Sequence, residues 1–340
     1  MSRKFDVAVV GATGAVGEAI LEILASRDFP VGKLYPLASK RSQGTTVMFN
    51  NKPILVEALE DFDFSKVQLA LFSAGGSVSA QYAPRAAEAG CVVIDNTSHF
   101  RYDPAIPLVI AEVNPEAIAE YRERNIIANP NCSTMQMLVA LKPIYDAVGI
   151  TRINVATYQA VSGTGRAAIK ELADQTGKLL NGIPVEPVVY PRQIAFNVIP
   201  QIDVFQDNGY TREEMKMYWE TQKILNDSSI TVNATAVRVP VFYGHSEAVH
   251  IETRDKITAE LAKELLSRAP GVIVMDDGAP GAYPTPALEG AGEDAVFVGR
   301  IREDISYDYG LNLWVVSDNV RKGAALNAVQ IAEILIREYL

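Results

Sequence analysis

The sequence predicts an α/β protein: an N-terminal Rossmann-type doubly wound sheet followed by a C-terminal α+β domain. Three observations carry that expectation. Short runs that are apolar throughout alternate with amphipathic stretches over residues 1–130, the pattern of parallel strands covered on both faces. A glycine-rich turn, Gly11-Ala12-Thr13-Gly14-Ala15-Val16-Gly17, joins the first apolar run to the first amphipathic stretch. From about Thr151 the texture changes to longer strand candidates with helices between them.

Taken in order, the apolar strand candidates of the first half are Phe5–Val10, Leu69–Phe72, 91–94, 108–110 and Ile126–Ala128. Helices are expected over 17–25, 79–89 and 115–124. In the second half the strand candidates are 151–161, 229–239 and 247–253, with helices over 165–180, Arg212–Leu225 and 258–268. Residues 182–200 hold four prolines but also Val, Ile and Phe, so they read as an irregular excursion rather than a linker. The final helix, 322–339, is apolar at Ala325, Val329, Ala332 and Leu335 and is expected to pack on something.

Composition narrows the function classes. The chain has 340 residues, enough for two domains at roughly 150 residues each. Hydrophobic residues are 48% and charged residues 21%, which excludes disorder as the main state. The net charge of −10 disfavours nucleic acid and anionic membranes as partners. No apolar stretch approaches the roughly 18–20 residues of a membrane span, and the N-terminus shows no signal-peptide core. With only two cysteines, neither a disulfide framework nor a metal site is expected. A cytoplasmic two-domain protein is the expectation.

Glycine at 11, 14 and 17 suits a tight turn whose backbone N–H groups approach a pyrophosphate at a helix N-terminus. An NAD site usually adds an acidic residue about 20 positions later to hold the ribose 2′-OH. Between Asp28 and Glu57 there is none; Ser39, Lys40, Arg41 and Ser42 stand there instead, donors suited to a 2′-phosphate. NADP is therefore expected. Ser73-Ala74-Gly75-Gly76, after the second strand, is either a second cofactor contact or a small-residue turn.

Cys132 lies in Asn129-Pro130-Asn131-Cys132-Ser133-Thr134, after a strand and at the start of a helix expected over 135–147. Helix N–H groups there favour thiolate over thiol. Cys91, inside an apolar run, reads as a core residue. A nucleophilic thiol wants a base, and of three histidines His245, in a glycine-containing turn, is best placed to be presented; His99 and His250 are the others.

These stretches, together with Asp95-Asn96-Thr97-Ser98-His99-Phe100-Arg101, residues 159–165, 194–203, 213–216, 238–245 and 318–327, resemble the aspartate-β-semialdehyde dehydrogenase family over essentially the whole length. The resemblance implies reversible, NADP-dependent conversion of aspartate semialdehyde and phosphate to 4-aspartyl phosphate through a cysteine thioester, run reductively toward lysine, methionine, threonine and isoleucine. It implies Cys132 as nucleophile and His245 as acid/base. Arg238 would hold the substrate α-carboxylate, Glu213 its ammonium, and Arg101 and Lys216 the phosphate. Asn131 and Gln159 would line the substrate site. Cofactor contacts would come from Gly11, Thr13, Gly14, Ala15, Val16, Ser39, Arg41, Ser42, Ser73, Ala74 and Gly75, with Ser162, Gly163 and Asn319 at the nicotinamide half. On spacing alone, Glu213 and Lys216 read instead as an exposed surface ion pair. The family architecture implies a domain over 1–130 that binds NADP, a catalytic and dimerisation domain over 131–321, a last helix (322–340) returning to the first, and a homodimer. Three rivals remain at this level: an N-acetyl-glutamyl-phosphate reductase, a regulatory NADP-binding protein without turnover, and a cysteine hydrolase.

Overall fold

The computed structural model describes residues 3–340. They divide into two compact units: residues up to Pro130 together with Ala324–Leu340, and Asn131–Gly323.

In the first unit, β1 (Phe5–Val10), α1 (Ala15–Ser26) and β2 (Val31–Ala38) open the chain. A hairpin of β3 (Thr46–Phe49) and β4 (Lys52–Leu55) follows, turning on Asn50 and Asn51, both with positive φ as a two-residue hairpin turn requires. Next come β5 (Glu57–Ala58), β6 (Leu69–Phe72), α2 (Gly76–Glu88), β7 (Val92–Asp95) and β8 (Ile126–Ala128). The main sheet is parallel throughout, ordered β5-β2-β1-β6-β7-β8. Strand order reverses between β1 and β6, which places a topological switch point at their carboxyl ends. The closing helix, Asn327–Glu338, buries Val329, Ile331, Ala332 and Leu335 in the same core as Ile20, Leu24 and Val9.

Two expectations for this unit need correction. Residues 108–110 form a single bridge, Leu108 to Ala128, because Asn114 takes the polar groups of the segment: its amide donates to Leu108 O and accepts from Ile110 N–H. The helix expected over 115–124 is a 3-10 helix, Pro115–Glu123, with only Ile118 and Tyr121 buried. Proline at its first position starts the turn, but two buried side chains give too little packing to favour the α form.

The second unit begins with α3 (Cys132–Val148), then β9 (Ile150–Gln159), α4 (Arg166–Leu180), α5 (Arg212–Leu225), β10 (Thr231–Arg238), β11 (His245–Thr253) and α6 (Ala259–Ser267). The strands β12 (Val272–Val274), β13 (Val296–Glu303) and β14 (Gly310–Ser317) complete it. Its sheet is mixed, ordered β10-β9-β11-β14-β13-β12, parallel at both outer pairs and antiparallel between them. Helix α3 is buried along most of its length against this sheet. The excursion after α4 is tied down by α4 itself. Glu171 accepts from Val188 and Val189 N–H, and Gln175 accepts from Ile194 and Ala195 N–H. Among the described residues no helix is long and apolar enough to cross a membrane.

Candidate active site

In the first unit the glycine turn has the geometry of a dinucleotide site. Gly11 has φ +86°, and a Cβ there would fall 3.0 Å from Ser73 and Ala74, so the two predicted turns meet at the switch point. A Cβ on Gly17 would lie 2.2 Å from Gly11 O, which explains why the helix approaches the strand only with glycine at that position. No side chain caps α1 at Gly14, leaving its first N–H groups for an anion. Thr13, Ala15 and Val16 border that opening, and Ala74 and Gly75 are exposed before α2. Ser39 and Arg41 are exposed and Ser42 half-buried just past the end of β2, whereas Lys40 is paired with Glu60 and Asp61. Arg101 is buried in this unit and donates from Nη2 to Asn96 O.

In the second unit the predicted residues converge on one end of the sheet. Asn131 caps α3: its Oδ1 accepts from Ser133 and Thr134 N–H, so Cys132 is the first helical residue. Gln159 ends β9 and Arg238 ends β10, directly paired in register, while His245 starts β11. Glu213, on α5, joins them. It accepts from Asn131 Nδ2 at 2.9 Å, Gln159 Nε2 at 3.1 Å and Lys216 Nζ at 2.8 Å. Burial alone would push the Glu213 carboxyl up; the Lys216 charge and these donors outweigh it and bring it to about 2. Lys216 also bonds Asp203, and the Glu213–Lys216 pair is nearly buried, so the exposed surface pair is not what forms.

His245 is fully buried, and its Nδ1 accepts the Ala160 N–H at 3.0 Å. Burial first, and the Arg238 guanidinium second, push the ring down to about 3, so it is neutral in the unliganded protein. That lies well below the ordinary histidine value of 6.5. Gly163 leaves the space: a Cβ there would sit 3.2 Å from Arg238 Nη1 and 3.4 Å from His245 Nε2. Asn319 Oδ1 accepts from Ser162 Oγ and Gly244 N–H, holding the turn before His245. Cys91 is buried in the first unit, and burial pushes its thiol up, as suits a core residue. His99 is exposed against Phe100, and His250 pairs with Asp304. Among the described residues no cluster of His, Cys, Asp and Glu offers a metal site.

Comparison with known proteins matches residues 6–121 to the semialdehyde dehydrogenase NAD binding domain and 141–322 to the semialdehyde dehydrogenase dimerisation domain. The chain is 65% identical to the aspartate-semialdehyde dehydrogenase of Shewanella sp. (strain DB6705), covering 100% of both chains. It is 66% identical over 339 residues to aspartate-semialdehyde dehydrogenase 2 of Vibrio cholerae, again covering 100% of both. The chain belongs to the aspartate-semialdehyde dehydrogenase family. Among solved structures, the Vibrio cholerae aspartate semialdehyde dehydrogenase II complexed with ASA superposes with a TM-score of 0.98 at 65% identity and full coverage of both chains. The Candida albicans aspartate semialdehyde dehydrogenase with NADP gives 0.76 at 26% identity, covering 98% of this chain and 99% of that one.

Within this aspartate-semialdehyde dehydrogenase scaffold, some buried groups beside the cysteine escaped the sequence reading. Glu220 accepts from the Asn131 N–H at 2.7 Å, and Gly323 packs against Cys132, where a Cβ would fall 2.6 Å from the cysteine Cβ. Glu247 and Lys322 are charged residue types with no exposure. Seven residues separate Glu220 from Glu213, two helical turns on one face, and that spacing was the available signal.

Proposed function

We propose that the protein oxidises aspartate 4-semialdehyde reversibly, with NADP and inorganic phosphate, to 4-aspartyl phosphate, working as a cytoplasmic homodimer in the reductive direction. The observation that carries this is the network around Glu213, which accepts from Asn131, the cap of the helix that begins at Cys132, and from Gln159, whose Nε2 lies 3.4 Å from His245 Nε2. The bound cofactor supplies the hydride acceptor or donor. The exposed Arg41, with no acidic residue between Asp28 and Glu57, supports NADP over NAD.

Cys132 thiolate, favoured by the N–H groups of the α3 terminus, adds to the aldehyde carbon and leaves an alkoxide. Loss of hydride from that carbon gives a Cys132 thioester. A phosphate oxygen then attacks the carbonyl, and the thiolate leaves with the sulfur–carbon electron pair. Because Nδ1 of His245 accepts from Ala160, the neutral ring carries its hydrogen on Nε2 and can donate it to the developing alkoxide. Burial is the larger cause that depresses His245 and the Arg238 charge the second; a substrate carboxylate forked onto Arg238 offsets that second cause, so proton transfer by Nε2 is favoured in the liganded enzyme. Glu213, ionised, faces the substrate ammonium, and Lys216 with Arg101 takes the phosphoryl group. The test is NADPH formation from aspartate semialdehyde with and without phosphate. Phosphate-dependent turnover that vanishes in Cys132→Ala is the expected result; a folded wild type without turnover sinks the reading.

A further inference from the structure

Asn131 is gripped from several sides, and two of the grips come from one helix. Its side chain donates to Glu213, its Oδ1 accepts the first N–H groups of α3, and its own backbone N–H donates to Glu220 Oε2 at 2.7 Å. Glu220 has no exposure at all, so it meets no substrate, cofactor or solvent. Burying a carboxyl group is costly, and one of the partners that hold this one is a backbone N–H one residue before the nucleophile. From another side Gly323 closes on Cys132 so tightly that no Cβ fits between them.

From this geometry we infer that Glu220 is a positioning residue for Cys132. Its hydrogen bond to Asn131 N–H sets where α3 starts, and thereby where the thiol stands relative to Gln159 and His245. What matters is an acceptor at that distance. Glutamine keeps the acceptor and loses the acid; aspartate keeps the acid but is one methylene too short; alanine loses both. The inference rests on the cysteine-based function proposed above.

The experiment compares Glu220→Gln, Glu220→Asp and Glu220→Ala in the full-length protein. Two quantities are read: kcat and KM for aspartate semialdehyde, and the rate at which iodoacetamide alkylates Cys132, with Cys91 as the buried control. Glu220→Gln is expected to keep kcat within about threefold, while Asp and Ala lose about thirtyfold or more in kcat with KM within about twofold, the signature of a misplaced nucleophile. Alkylation of Cys132 follows the same order. If Ala does not fold, the Gln and Asp pair still decides. Asp matching wild type while Gln fails overturns the inference, because the acid rather than the acceptor then matters. So does a folded Ala or Asp variant with wild-type kcat and alkylation. A wild type inactive on aspartate semialdehyde would refute the proposed reaction, while the alkylation order would still test the positioning.

Discussion

At Glu213 burial works against the charge and its neighbours win, whereas at His245 burial and Arg238 act together and the charge loses. That contrast predicts different pH profiles for the free and liganded enzyme. kcat/KM reports the free enzyme and kcat the complex. With His245 near 3 before substrate binds, kcat/KM should show no acid limb at about 6.5, the ordinary histidine value. The acid limb of kcat should lie at higher pH, once the substrate carboxylate has offset Arg238, and should disappear in His245→Asn. A limb at 6–7 in both profiles would mean that the ring titrates freely and the Arg238 coupling is absent. Arg238 itself donates to Ala160 O and presents a planar fork that lysine cannot copy. Arg238→Lys should therefore weaken substrate binding by roughly 2 kcal/mol, about thirtyfold in KM, with a smaller effect on kcat. Steady-state kinetics check this directly.

Strand β11 shows what alternation does to a sequence. His245, Glu247, Val249 and Ile251 lie on one face, all buried, so the geometry that delivers the histidine also buries a carboxyl two residues on. Burial pushes Glu247 well up despite Gln136 and Ser133 nearby, and neither of its oxygens finds a hydrogen-bond partner of good geometry. The sign for stability follows. The folded state keeps a proton that the unfolded chain loses above about 4.3, so stability falls as pH rises from there toward the folded value. Glu247→Gln should remove that dependence and raise the melting temperature at pH 7 by a few degrees, roughly 2–4 °C for each 1 kcal/mol gained. A thermal series from pH 4 to 8 measures it, and a wild-type advantage growing with pH would contradict the assignment. The β1–α1 junction supplies the opposite case. Gly17→Ala places a Cβ 2.2 Å from Gly11 O and should lose at least about 1–3 kcal/mol of stability along with NADP affinity, read by melting and cofactor titration. Legibility divides along the same lines. Runs such as Phe5–Val10, Leu69–Phe72 and Ile126–Ala128 gave their strands to the residue, because a strand buried on both faces is apolar throughout. Strand β2 was missed because Gly32, Lys33 and Pro36 interrupt it, and its pairing with β1 overrides those local preferences. The cysteine and histidine were readable from their turns, while Glu220 and Gly323 were not. Their importance arises only from what the fold brings beside Asn131 and Cys132.

For the molecule as a whole, the second unit exposes several large apolar side chains within one short stretch of chain. Between 183 and 205, Ile183 is 51% exposed, Val188 85%, Phe196 65%, Val198 57%, Val204 60% and Phe205 60%. Single exposed apolar residues are ordinary, but so many in one short stretch mark an association surface. The acidic balance of −10 supports the same conclusion from the other side, since net charge opposes indiscriminate aggregation and leaves specific apolar contact as the route to assembly. The excursion is also held firmly in shape, because Glu171 and Gln175 of α4 satisfy its backbone N–H groups. A surface ordered before association loses little conformational entropy on docking. Light scattering on the purified protein should therefore give twice the chain mass of 37.0 kDa. Val204→Asp combined with Phe205→Asp places two charges in that surface at positions already exposed in the single chain, so the fold should survive while the dimer does not. The expected result is a protein of single-chain mass with unchanged far-ultraviolet circular dichroism. A double variant that remains dimeric would move the association surface away from 183–205 to another part of the second unit.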